Sequence, residues 1–189
     1  MGQETGFYSR SKMNYKEEIV KSMEWLGKKT NTLFLGQSVL YSGNAIFNTL
    51  NSLPKTKRIE LPVFEDVQMG FSMGLALEGF VTITCFPRFD FLLLAVNQLV
   101  NHLDKIENMS EGKMNPKVII RTSIGSKSPL DGGVQHTQDH TKAFKLLLTN
   151  VDVVLLENKK KIFDAFKYAY ERKDNKSSLI IEYGDYYND

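Results

Sequence analysis

The sequence predicts a doubly wound α/β domain, in which helices cover both faces of a mostly parallel sheet of about six strands. Helical and strand patterns alternate along the chain. Most strand candidates are short unbroken apolar runs, which is typical of strands that are covered on both faces. The strands are joined through helices, which requires right-handed crossovers between parallel neighbours. The length of 189 residues suits one such domain and is too short for two.

The first half of the chain predicts three helices and three strands in alternation. Apolar residues three or four positions apart mark each helix, and short aliphatic or β-branched runs mark each strand. Gly27, Pro54 and Gly79 are expected to end the three helices, because glycine and proline disfavour a helix interior. The helices are predicted over 15–27, 45–53 and 66–77, and the strands over 32–39, 58–63 and 80–86.

The second half continues the alternation and adds one long loop that contains glycine, over 123–139. The helices are predicted over 91–108, 141–148 and 160–172, and the strands over 117–122, 151–156 and 178–183. The long helix has an apolar face that is expected to lie against the sheet. The residues of that face are Leu94, Val96, Leu99, Val100 and Leu103.

The composition is typical of a soluble globular domain, with 42% hydrophobic and 24% charged residues. A formal net charge of +2 is too small to favour nucleic-acid binding. The basic run Lys159–Lys161 is interpreted as a solvated helix start. The longest unbroken apolar run, over 91–96, is too short to span a membrane.

The single cysteine, Cys85, excludes an internal disulfide and favours a reducing, cytoplasmic location. Cys85 lies in an apolar, β-branched segment, so we interpret it as a buried structural thiol. Residues 1–12 are polar and lack the apolar region of a signal peptide. They are predicted to be a flexible N-terminal extension or a tag, with the folded domain over 13–189.

Glu65 is the most informative residue of the sequence, because it stands where an apolar strand end turns into a helix rich in small residues. A carboxylate in that position is partly desolvated and is suited to exchanging protons with a bound ring nitrogen. In the helix that follows, Gly70 and Gly74 share one face and each costs about 1 kcal/mol relative to alanine. They indicate close approach of another backbone, either within the domain or from a second subunit.

Two further segments follow strand ends and are expected at the same rim of the sheet, where α/β domains bind ligands. The rings of Phe89 and Phe91 either stack on a flat heterocycle or cap the core. Arg88 must find solvent, a carboxylate or a phosphate. His136, in the glycine-containing loop, either exchanges protons near neutral pH or is an ordinary surface histidine.

The other two histidines are weaker candidates for chemistry. His102 falls in the middle of a predicted helix, and His140 is placed to cap the start of the next one. The sequence has no His/Cys cluster with zinc spacing, and we predict no metal site within this chain. It also has no Gly-rich phosphate loop and no dinucleotide-binding fingerprint.

Three sequence blocks occur in a fixed order along residues 13–187. They are Leu-Pro-Val-Phe-Glu at 61–65 with Gly70, Gly74 and Gly79; Cys-Phe-Pro-Arg-Phe-Asp-Phe at 85–91 with Asn-Gln-Leu-Val-Asn at 97–101; and Arg-Thr-Ser-Ile-Gly at 121–125 with Gln-His-Thr-Gln at 135–138. Together they resemble the pyrimidine-binding domain of transketolase-like thiamine diphosphate enzymes. The likeness is strongest to the beta subunit of the decarboxylating, pyruvate dehydrogenase-type component of 2-oxo acid dehydrogenase complexes.

The resemblance implies thiamine diphosphate as cofactor and assigns a role to each candidate residue. Glu65 matches the glutamate that hydrogen-bonds the aminopyrimidine ring and favours its imino tautomer. Phe91, with Phe89 near it, matches the aromatic wall of the pyrimidine pocket, which Val63 also lines. His136 matches the histidine that handles protons at the substrate. We expect Arg88 either to meet an acidic substrate group or to form a surface salt bridge.

The sequence departs from the family pattern in ways that change the expected assembly. Cys85, Pro87 and Arg88 replace a glutamate, a methionine and a small polar residue, which alters the substrate pocket. The family's Gly-Asp-Gly motif for magnesium and diphosphate is missing, Gly184-Asp185-Tyr186 being a near match, and so is its carboxyl-terminal domain. We therefore expect a separate, alpha-type subunit to hold magnesium and diphosphate, in a heterotetramer with self-association of this chain.

The implied reaction is cleavage of a C–C bond next to a carbonyl, by 2-oxo acid decarboxylation or by transfer of a two-carbon or acyl unit. Such an enzyme is an oxidoreductase or a transferase. Two alternatives stay open at this point. The chain is part of a stand-alone, two-subunit transketolase-type enzyme or decarboxylase rather than a dehydrogenase complex, or it is a non-catalytic subunit that keeps the fold and stabilises a partner.

Overall fold

A computed structural model describes residues 13–128 and 130–188, with the side chain of residue 188 left aside. The extension predicted for residues 1–12 lies outside the described residues. The helices are α1 Tyr15–Gly27, α2 Ala45–Leu50, α3 Glu65–Leu77, α4 Phe89–Leu92, α5 Ile106–Met109, α6 Thr141–Leu147 and α7 Ile162–Glu171. The strands are β1 Thr32–Gly36, β2 Arg58–Glu60, β3 Val81–Phe86, β4 Val118–Ile124, β5 Asp152–Leu155 and β6 Ser178–Tyr183.

The six strands form one parallel sheet in the order β2-β1-β3-β4-β6-β5, which confirms the predicted fold class. Helices α1, α2 and α7 cover one face of the sheet, and α3, α4 and α6 cover the other. Strands β3 and β4 are buried almost throughout, as their unbroken apolar runs predict. All carboxyl ends meet at one rim. From β1 the chain continues to β2 on one side and then returns to β3 on the other side. Such a reversal of strand order is where α/β sheets form a ligand-binding crevice, here between β1 and β3.

Most predicted elements are found within a few residues of their predicted bounds, but the long helix over 91–108 is wrong. The chain forms α4, a 3₁₀ turn at Leu93–Ala95, a π-helical segment at Gln98–Leu103 and then α5. The tighter and wider turns shift the helical phase. As a result Leu94, predicted to face the core, is 64% exposed, whereas Ala95 is buried.

The face under α1 carries a buried polar cluster between the middle of β4 and the carboxyl end of β6. Arg121 Nε donates to Glu182 Oε1 at 2.5 Å, and both side chains are fully buried. The hydroxyl of Tyr187 also donates to Glu182, which draws the turn after β6 over the cluster. Burial alone would lower the pKa of Arg121, but the neighbouring Glu182 carboxylate outweighs burial and raises it. The Tyr187 hydrogen bond to this ion pair therefore fixes the last described turn to the sheet.

None of the helices within residues 13–128 and 130–188 has the length and apolar content that a membrane crossing would require.

Candidate functional site

The three segments singled out in the sequence follow the carboxyl ends of β2, β3 and β4 and lie at one rim. Glu65 opens α3 after β2, the segment with Arg88 and Phe91 follows β3, and the loop with His136 follows β4. Helix α3 packs on the turn Leu93–Ala95, which begins two positions after Phe91. The shared rim is therefore confirmed for all three segments.

Glu65 is the first residue of α3 and is only 9% exposed. Phe64 gives the helix no side-chain cap, so the amide groups of the first turn remain near the carboxylate. Within the described part of the chain, no hydrogen bond or ion pair occupies the Glu65 carboxylate. Its oxygens are not among the buried polar atoms that lack a partner, so they reach solvent at the rim and are open to a hydrogen bond from a ligand. Glu65 is therefore available to a bound donor group.

Gln68, one helical turn after Glu65, anchors the helix to the sheet. Its Nε2 atom donates to Thr84 Oγ1 at 2.9 Å and to the carbonyl of Cys85 at 3.0 Å. Gly36 is required beside it, because a Cβ there would lie 2.3 Å from the carbonyl oxygen of Cys85. Sequence reasoning missed Gln68, although a polar residue on the apolar face of α3 was a usable signal. Its contacts fix the position of Glu65 relative to β3.

Phe91 and His136 meet across the rim, although 45 positions separate them in the chain. Their ring centroids are 5.5 Å apart and their planes stand at 73°, an edge-on contact. His136 Nδ1 is buried and has no hydrogen-bond partner among the described residues. Two of the predicted site residues are thus brought together, with an unpaired ring nitrogen between the loop and α4.

Phe89 lies elsewhere, in the apolar core under α4. It is fully buried, and its ring lies 5.2 Å from that of Phe144 and 5.4 Å from that of His140. In this structure Phe89 caps the core, which was one of its two expected roles, and its contact with a cofactor stays a prediction. His140 occupies the N-cap position of α6, as expected, but its side chain makes no capping hydrogen bond, and the Asp139 carboxylate accepts from the first amide of α6.

Val63 precedes Glu65 and is 60% exposed at the rim. Its exposed apolar neighbours on the start of α3 are Phe64, Val67 and Phe71. These four residues are called the α3 apolar surface below. Gly74 lies further along the helix and has open space around it. Of the two explanations for the paired glycines, packing inside the domain therefore does not apply to Gly74.

Arg88 binds backbone carbonyls of the glycine-containing loop. Its Nη1 atom donates to the carbonyl of His136 at 2.8 Å and to that of Gly125 at 3.1 Å. Asp185, the centre of the near match to Gly-Asp-Gly, accepts from the Lys127 amide at 2.7 Å. Sequence reasoning did not find this use of Asp185, because its partner is 58 residues away. The loop is thus held from two distant parts of the chain.

Cys85 and His102 take no part in the rim chemistry. Cys85 is fully buried, as predicted, and burial raises the pKa of its thiol to about 12, so the thiol stays protonated and unreactive. His102 is exposed on the π-helical segment. Among the described residues, no group of three His, Cys, Asp or Glu side chains is arranged to hold a metal ion.

The residues at the rim fit an aminopyrimidine ring in their chemistry. Glu65 offers a free acceptor, Phe91 offers an aromatic ring and His136 offers an unpaired ring nitrogen. The described rim provides no cluster of acidic ligands for the metal that a diphosphate group requires. The three side chains therefore suit the ring of such a cofactor.

Comparison with known proteins identifies a matching family and related sequences. The sequence profile described as "Transketolase, pyrimidine binding domain" matches residues 11–187. The "Pyruvate dehydrogenase E1 component subunit beta" of Cyanidium caldarium is 28% identical over 162 residues, which cover 84% of this chain and 46% of the relative. The "3-methyl-2-oxobutanoate dehydrogenase subunit beta" of Mycobacterium tuberculosis is 27% identical over 128 residues, which cover 65% and 35%. The chain thus spans about half the length of the curated relatives it matches, or less.

A solved structure described as "Split gene transketolase, inactive beta4 tetramer" superposes with a TM-score of 0.62 at 17% identity. The match covers 91% of this chain and 52% of that one. At this identity the likeness shows the fold alone.

Proposed function

Because the chain belongs to the transketolase pyrimidine-binding domain family, we propose that it forms the pyrimidine-binding half of a thiamine diphosphate-dependent enzyme. The observation that carries the proposal is the Glu65 carboxylate, which is nearly buried and unpaired at the start of α3. It is placed at the rim where α/β domains bind ligands. The proposed reaction is cleavage of a C–C bond next to the carbonyl of a 2-oxo acid or a ketose-like donor.

The roles proposed for the residues follow from their positions. Glu65 accepts a hydrogen bond from the ring of the cofactor. This contact favours the protonation state of the ring that activates the cofactor. Phe91 and Val63 present apolar surface to that ring, and Phe89 supports them from the core. His136 exchanges protons with the substrate through its imidazole ring. When bound, the cofactor supplies a nucleophilic carbon for attack on the donor carbonyl.

A second subunit is proposed to complete the site. The sequence contains no Gly-Asp-Gly motif, so magnesium and the diphosphate group would be held by a diphosphate-binding, alpha-type partner. The α3 apolar surface beside Glu65 is the surface proposed for subunit contact, because large exposed apolar side chains in one patch mark such contacts. The open side of Gly74 is proposed for self-association of this chain within a heterotetramer in the cytoplasm.

Calorimetry with thiamine diphosphate and magnesium tests the proposal. The chain is titrated alone and after coexpression with a Gly-Asp-Gly-containing protein encoded next to it, and pyruvate decarboxylation is measured in both samples. We expect strong cofactor binding and turnover only in the coexpressed complex, because each subunit supplies half of the site. A complex that forms but gives no heat with the cofactor contradicts the proposal. Cofactor binding without turnover of pyruvate, other 2-oxo acids or ketose donors supports the non-catalytic alternative.

A further inference from the structure

Arg88 links the segment that carries Phe91 to the loop that carries His136. The sequence led us to expect either an acidic substrate group or a surface salt bridge as its partner, and neither describes this link. Arg88 immediately precedes α4, three positions before Phe91, and its single Nη1 atom donates to the carbonyls of Gly125 and His136. These two carbonyls belong to loop residues that lie eleven positions apart in the chain. One guanidinium nitrogen therefore ties both ends of the loop to the segment that carries Phe91.

The loop closes tightly around this contact. A Cβ atom on Gly132 would lie 3.1 Å from Arg88 Nη1, 3.2 Å from Arg88 Cζ and 2.8 Å from the Cβ of His136. Gly132 thus passes directly between Arg88 and His136, where a side chain does not fit. The loop also bonds to itself, since the Gly133 amide donates to Asp131 and the His136 amide donates to the carbonyl of Gly133. It is a compact turn that Arg88 holds as a unit.

We propose that Arg88 is a positioning residue that sets the His136 imidazole against Phe91, rather than a group that binds substrate. A guanidinium is planar and always charged, so it presents fixed donors to two carbonyls at once. Without it, the backbone of His136 loses its direct link to the segment after β3 and keeps the Gln138–Asp90 hydrogen bond two positions away, so the edge-on contact with Phe91 is loosened. The catalytic consequence of this positioning rests on the proposed function, whereas the positioning itself does not.

The imidazole resonances of the isolated chain test the positioning directly, because the sequence contains only three histidines. Phe91→Leu first defines how far the ring of Phe91 shifts the His136 signals. In Arg88→Met, which keeps an unbranched apolar stem but removes the donors, we expect the His136 signals to move to their Phe91→Leu positions. Arg88→Lys keeps a cationic donor and is expected to restore part of the shift. The signals of exposed His102 serve as an internal reference.

Two matched variants sharpen the result. Gly132→Ala pushes on the same contact from the loop side, and we expect it to displace His136 as Arg88→Met does. Lys127→Met removes a positive charge from an exposed side chain of the same loop, and we expect no change at His136. His136 signals in Arg88→Met that match the unmodified chain, in a protein that remains folded by circular dichroism, would overturn the proposal.

Kinetics of the complete enzyme separate positioning from substrate binding. Because small misplacements of a catalytic group reduce turnover strongly, we expect kcat of Arg88→Met to fall about tenfold or more with little change in KM. A raised KM with unchanged kcat would overturn the proposal in favour of substrate contact. If no reaction is found for the unmodified complex, the proposed function fails, but the histidine signals still decide the role of Arg88.

Discussion

The two candidate chemical groups at the rim are held in opposite ways. Glu65 stands on α3, a regular 13-residue helix that Gln68 ties to β3, and so its position follows from secondary structure and one nearby anchor. His136 stands on a loop without regular structure, and Arg88 and Asp185 hold that loop from distant parts of the chain. We call Glu65 on α3 the helix half of the site and His136 on its loop the loop half. The geometry of the helix half depends on local structure, whereas that of the loop half depends on contacts with distant residues.

The difference shows what each half is able to do. A carboxylate on an anchored helix keeps one position, which suits a permanent contact with a cofactor ring. A histidine on a loop held by a few hydrogen bonds opens at a lower cost in free energy, which suits the entry and exit of substrate. Three variants test this contrast, in order of decreasing effect.

Glu65→Gln is expected to have the largest effect, on activity alone. Removing a group that sets the protonation state of a reaction typically costs about 10²–10⁴-fold in rate, and we expect that loss in kcat of the complete enzyme. Stability in urea should be unchanged or increased, since the carboxylate has no partner in the described structure. Activity retained in Glu65→Gln would remove the helix half from the mechanism.

Gln68→Leu tests the anchor of the helix half. It leaves the buried hydroxyl of Thr84 and the carbonyl of Cys85 without their donor, so we expect a loss of about 1–3 kcal/mol in the free energy of unfolding. Gln135→Leu makes the same change at an exposed position of the loop and should stay within about 0.5 kcal/mol. Equal effects of the two variants, measured by urea unfolding, would mean that the contrast between helix and loop does not hold.

Asp104→Asn tests the support of α6, the helix that follows the loop half, through its dependence on pH. The buried Asp104 carboxylate accepts from the amides of Thr149, Asn150 and Val151 at the end of α6. Burial alone would raise the pKa of Asp104, but hydrogen bonds from Lys105 and these amides hold it below its ordinary value of 3.8. Its stabilising contribution is therefore complete above that value and is lost as the pH falls through the lower, folded-state pKa.

The melting temperature should accordingly fall more between pH 5 and pH 3 for the unmodified chain than for Asp104→Asn. These two pH values lie about one unit above and below the ordinary pKa. At neutral pH the variant should be less stable by about 1 kcal/mol. Glu111→Gln changes an exposed carboxylate and should leave the slope against pH unchanged. Parallel curves for Asp104→Asn and the unmodified chain would rule out this role.

The helix half could be predicted closely from the sequence, since it rests on local patterns. Apolar periodicity and Gly79 bounded α3 to within one residue, and Glu65 was recognised from its place after an apolar strand end. The course of the chain after Phe91 could not be predicted, because a 3₁₀ turn and a π-helical segment replaced a regular helix and exposed Leu94. The 3₁₀ turn packs against α3, so a tertiary contact accompanies the change of helical phase.

The sequence by itself determined the alternation of strands and helices, the parallel sheet and the shared rim, because hydrophobic periodicity depends on neighbours a few positions apart. Only the tertiary structure decided that Arg88 binds two carbonyls, that Asp185 closes the loop and that His136 meets Phe91. Those contacts join residues 37–58 positions apart in the chain. A hydrogen bond depends on distance and direction in space, and no local pattern records which distant carbonyl a given side chain will reach.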